Sequence, residues 1–148
     1  MKIMITILLM LSCSLAVAET PGVIHKAGEC KLQVASAFDD DKMFEVSLKT
    51  DQMDIICKFY GGEFFDKFMV FANPRITNKA GKKINVSYHV AFFDKAGELV
   101  CSASQQSDIA GNEKDFQLGS CLMKLPQEDL SNIVSYKIVV YAGEPSEK

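Results

Sequence analysis

Three features predict an all-β protein folded as an antiparallel two-sheet sandwich of seven to eight short strands with at most one short helical turn. Apolar residues recur at every second position in several short runs, the pattern of half-buried strands. Clusters of Gly, Pro, Asn and Asp punctuate those runs at close spacing. No stretch carries the three-to-four-residue apolar period of a long amphipathic helix.

Residues 1–18, MKIMITILLMLSCSLAVA, stand apart from the fold. Lys2 supplies a positive start, Ile3 to Leu11 form an apolar run broken only by Thr6, and Ala16-Val17-Ala18 offers small residues to a signal peptidase. This predicts a secretory signal peptide cleaved between Ala18 and Glu19, and hence a periplasmic or secreted protein of bacterial type. The apolar run is short for a membrane span of ~30 Å, and no basic stop-transfer cluster follows it. Lipid attachment at Cys13 is the lesser alternative.

The elements follow in order. Residues 19–29 contain Pro21, Gly22 and Gly28 and read as a flexible lead-in, with a single domain over 30–141 and a polar tail over 142–148. Cys30, Leu32 and Val34 alternate with polar residues. Asp39-Asp40-Asp41 then turns the chain, and three consecutive acids lack the spacing of a calcium loop. Phe44, Val46 and Leu48 mark the next strand. Ile55 to Tyr60 marks another, stopped by Gly61-Gly62. Lys67 to Thr77 reads as a strand whose Pro74 suits an edge or a bulge. The clearest alternation is Ile84, Val86, Tyr88, Val90, Phe92. Asp94-Lys95-Ala96-Gly97 turns the chain, and Glu98 to Ala103 returns. Residues 104–114 read as a polar connection, then Phe116 and Leu118 lead to Cys121. Pro126 followed by acids suits one helical turn. Val134, Tyr136, Ile138 and Val140 close the fold.

The 148-residue length fits one domain and excludes a barrel enzyme of ~250 residues. A formal charge of −3 argues against a nucleic-acid binder. Of the five cysteines, Cys13 leaves with the signal. The remaining even number in an exported chain reads as two disulfides, with no C-x-x-C spacing for zinc or redox chemistry. A hairpin centred near residue 111 would set Cys101 opposite Cys121, which leaves Cys30 with Cys57. No cofactor, metal site or catalytic constellation is expected. Ser120 lacks a nucleophile elbow, and His25 and His89 have no partner at ligand spacing. Asn85-Val86-Ser87 is a glycosylation sequon in mid-strand and is read as meaningless in a bacterial protein.

The aromatic group Phe59, Tyr60, Phe64, Phe65 and Phe68, with Phe71, is the candidate ligand or partner surface, with core packing as the competing fate. The stretch from Phe71 to Tyr141 resembles the small extracytoplasmic FxLYD-like domains of the immunoglobulin/fibronectin group. The residues that carry the likeness are Ile76-Thr77-Asn78 and the run from Val86 through Phe92-Phe93-Asp94 to Gly97 and Val100, with Phe93 where tyrosine is usual. The resemblance implies an immunoglobulin-like sandwich acting as a binding or spacer module, and it supplies no catalytic residues. The expectation is therefore a non-enzymatic exported module that binds another exported or envelope protein through sheet edges, loops or the aromatic segment. A small-ligand binder (lipid, glycan or metal) and a secreted hydrolase inhibitor are the alternatives.

Overall fold

The computed structural model describes residues 22–36, 39–119 and 121–145. The expected signal peptide, its cleavage site and Cys13 lie outside them. Nine antiparallel strands form two sheets among the described residues. They are β1 (Val23–Glu29), β2 (Phe44–Lys49), β3 (Met53–Phe64), β4 (Lys67–Asn78), β5 (Ile84–Phe93), β6 (Leu99–Ile109), β7 (Phe116–Gln117), β8 (Cys121–Lys124) and β9 (Ser135–Gly143). One short helix, α1 (Gln127–Leu130), precedes β9. The first sheet runs β1-β9-β5-β6; the second runs β2-β3-β4, with β7 and β8 dividing the far edge of β4 between them. This is the all-β sandwich that the alternating pattern predicts. No described helix is long and apolar enough to cross a membrane.

The core is the set of inward strand positions. Val46, Leu48, Ile55, Cys57, Phe59, Val70, Ala72 and Ile76 from the second sheet face Ile84, Val86, Val90, Phe92, Tyr136, Ile138 and Val140 from the first. Two aromatic contacts lock the sheets in register. The Phe59 ring meets Phe92 edge-on with centroids 5.3 Å apart, and Phe44 meets Tyr136 at 5.5 Å. Met53, Met69 and Met123 fill the core as well.

At the opposite end, Asn78 is fully buried at the close of β4. Its amide nitrogen donates to the carbonyls of Lys82, Ile109 and Ala110, and its Oδ1 accepts from the Ala80 backbone N–H. One side chain thus ties a strand of the second sheet to the β4–β5 connection and the end of β6. Its burial costs little because its polar atoms find partners.

Several boundaries differ from expectation for identifiable reasons. The lead-in is β1 from Val23: its polar composition reflects an edge strand, where only one side of the backbone needs a partner, and β9 supplies it. Cys30 to Ser36 instead crosses between the sheets, with one parallel bridge of Val34 to Gly61. Gly61-Gly62 does not stop β3. Gly61 donates to the Gln33 carbonyl and accepts from Ala35, and a Cβ there would lie 2.7 Å from Leu130. Glycine is present so that other segments can approach the strand closely. Pro74 lies in a strand paired on both sides. Its carbonyl accepts from Leu118, so its missing N–H faces the break between β7 and β8, where no ladder bond is lost. Residues 104–109 continue β6, because β5 pairs with them through to Ile109.

Candidate functional site

The aromatic segment divides sharply. Phe59 is 0% exposed within the core. Tyr60 is buried and stacks on its cross-strand partner Phe71, with centroids 4.8 Å apart and planes 7° from parallel. Phe68 is half-buried and, with Leu130, closes over Gly61. Phe64 and Phe65 face solvent at 47% and 82% exposure. Period-two alternation explains the split only in part. The decisive factor is height along the hairpin. β2 pairs with β3 only as far as Phe44 opposite Phe59, and β8 pairs with β4 only as far as Met69. The Phe64–Lys67 rung therefore projects past both neighbours, while at Glu63–Phe68 only the Phe68 carbonyl is still met, by the Leu125 N–H.

Phe65 and Asp66 form a two-residue hairpin loop with φ of 50° and 57°. Such a turn places both central residues in the left-handed region, where Asn-Gly or Asp-Gly is the stable choice. A phenylalanine there costs on the order of 1–2 kcal/mol. The contact between the Phe64 and Phe65 rings, at 4.4 Å, returns part of it. A strained backbone that holds a large aromatic ring in water is unfavourable for the isolated fold.

Beside the tip is a groove of about 260 Å³ lined by Val34, Glu63, Asp66, Phe68 and Gln127. Val34 is 54% exposed although apolar. The sequence gives no sign of its place or of that of Gln127, since the crossing segment and α1 reach the tip only in the folded chain.

A larger open groove of about 840 Å³ lies where Cys30 and Phe44 approach the Asp94–Gly97 turn and Val134. The Cys30 thiol is pushed up to about 11 by burial, and Cys101 is pushed up to about 11 by burial with Asp129 and Cys30 nearby. Tyr136 is also raised, first by burial and then by Cys30. Neither thiol is disposed to ionise at neutral pH, which leaves both poor nucleophiles. Asp39 is lowered, chiefly because its carboxylate accepts the Ser36 backbone N–H, and Asp40 pairs with Lys58. Two of the three acids in the run are thus paired within or beside the turn. His25 and His89 are exposed on the outer face of the first sheet, two strands apart, with Val139 between them in register.

The hairpin that set Cys101 opposite Cys121 does not form. β6 pairs with β5 and β8 pairs with β4, in different sheets. Among the described residues no disulfide joins Cys30, Cys57 or Cys101; Cys57 is fully buried at the centre of β3, and the other two are half-buried. Asn85 of the sequon is held between Asp108 and Gln106.

Comparison with protein-family models and with curated proteins finds no match for this chain.

Proposed function

We propose that the chain is an exported, non-enzymatic module that binds another exported or envelope protein through the tip of the β3–β4 hairpin. The observation that carries this reading is Phe65, 82% exposed on a left-handed backbone. A convex knob suits insertion into a partner's pocket, the role aromatic anchors play at interfaces. It does not suit a small ligand, which needs a concave site. The likeness to FxLYD-like modules supports a binding role, and the amino-terminal pattern of residues 1–18 supports export.

The experiment is site-specific photocrosslinking in the exporting cell. Benzoylphenylalanine at position 65 should give one discrete protein adduct. The same probe at Ser47, exposed in β2 of the second sheet, should not. No adduct at 65, or the same adduct at both positions, would reject the tip as the binding element.

Oxidation in that compartment would pair Cys101 with Cys121 and Cys30 with Cys57. Support for the first pair comes from register. Cys101 stands opposite Phe92, Phe92 meets Phe59 across the core, Phe59 stands opposite Ala72, and Ala72 stands opposite Cys121. The two positions share one height, and Cα atoms of β6 and β8 come within 8 Å. Cys30 and Cys57 border the same core, as does Cys101, and a Cys30–Cys101 bridge is the competing connectivity because those two thiols also lie near each other. Peptide mapping without reductant should recover both pairs; any other connectivity would replace them.

A further inference from the structure

We infer that the groove beside the aromatic tip receives an arginine or lysine side chain of the partner. This rests on the tip being the partner-binding element and specifies what it binds. The groove has an apolar side, with exposed Val34 and the half-buried Phe68 ring, and a rim bearing Glu63 and Asp66. No Lys or Arg lines it. Elsewhere six carboxylates, Asp39, Asp40, Asp54, Asp108, Asp115 and Glu144, pair with a Lys or Arg of this chain, while others such as Glu45, Asp51 and Glu98 stand open on the surface; the grooves that hold Glu29 with Asp94, and Glu144, are each lined by lysine as well. Glu63 and Asp66 form no ion pair among the described residues.

An apolar surface flanked by two open carboxylates is the complement of a long cationic side chain. The methylene stem lies along Val34 and Phe68, as such stems do on apolar surfaces. The charged head reaches the carboxylates, and a guanidinium can also stack on the Phe68 ring. At about 260 Å³ the groove falls below the ordinary range for drug-sized ligands and suits a single side chain. The tip then contributes two adjoining features: the Phe64-Phe65 knob enters the partner, and a basic residue of the partner enters the groove.

The test uses isotope-labelled full-length mature protein and two probes, acetyl-arginine methylamide and its neutral isostere acetyl-citrulline methylamide, followed by amide chemical shifts. The arginine probe should shift the amides of Val34, Glu63, Asp66, Phe68 and Gln127, and citrulline should shift them several-fold less. The Glu63→Gln, Asp66→Asn double variant should lose the response while its other resonances stay in place. Raising salt from 50 to 300 mM should weaken the response roughly threefold, since exposed pairs are screened. Equal shifts from both probes, shifts unaffected by the double variant, or no shifts at these five amides would overturn the inference. The outcomes separate cleanly. An adduct at position 65 without an arginine response leaves the tip reading standing and removes the cationic side chain from the groove. An arginine response without an adduct removes the tip reading and the partner with it, leaving only a groove that binds a guanidinium.

Discussion

Phe65 and Asn78 sit at opposite ends of the molecule and show how single residues are used for different ends. At Phe65 and Asp66 the backbone adopts a turn that the side chains disfavour. Replacing the pair with Asn-Gly should stabilise the fold by about 1 kcal/mol, the relieved strain exceeding the lost ring contact. Calorimetry should show a rise in Tm of a few degrees. A fall in Tm would mean that the tip aromatics serve the fold itself. At Asn78 the side chain and backbone agree. Asn78→Ala leaves the buried carbonyl of Ile109, and the part-buried bonds to Ala110 and Lys82, without their donor. The cost should be about 3 kcal/mol, a drop in Tm of roughly 10 °C in thermal unfolding.

Strands and hairpins set which side chains meet. The β3–β4 hairpin outruns its neighbours, so one aromatic segment supplies core at its base and a knob at its tip. At the same end of the sandwich, burial raises the thiols of Cys30 and Cys101. In the reduced protein the folded state therefore favours the protonated thiols. Unfolded thiols ionise near pH 9 and these only near 11, so the stabilising contribution holds below pH 9 and is lost as the pH rises to 11. Denaturant melts of reduced protein from pH 8 to 11 should show a steeper fall in stability than the Cys30→Val, Cys101→Val variant. Parallel pH curves would place both thiols in contact with water.

For the whole molecule, the two sheets are held by the facing rows Phe44–Tyr136 and Phe59–Phe92. Phe59→Leu should cost about 1–1.5 kcal/mol, through lost volume and a lost ring contact. Phe65→Leu should stay within about 0.5 kcal/mol. Equal effects in a urea titration would contradict the assignment of one ring to the core and the other to the surface. These two residues, six apart in one segment, carry the same side chain and look alike when read along the chain.

Local pattern by itself determined the all-β class. Period-two runs such as Ile84 to Phe92 need only one buried face, and that demand is written in consecutive residues. The turn at Asp94–Gly97 was equally legible, because Asp94 caps it through the Ala96 and Glu98 N–H groups and Gly97 adopts a φ of 78°. Tertiary structure decided what depends on lateral neighbours. It made a strand of the polar run 104–109, admitted Gly61 and Pro74 within strands, and set β6 and β8 in different sheets. It also brought Val34 and Gln127 to Glu63, Asp66 and Phe68. The physical reason is that a strand's backbone partners, and the exposure of each side chain, are fixed by residues distant in the chain, whereas alternation and turn preference are fixed by adjacent ones.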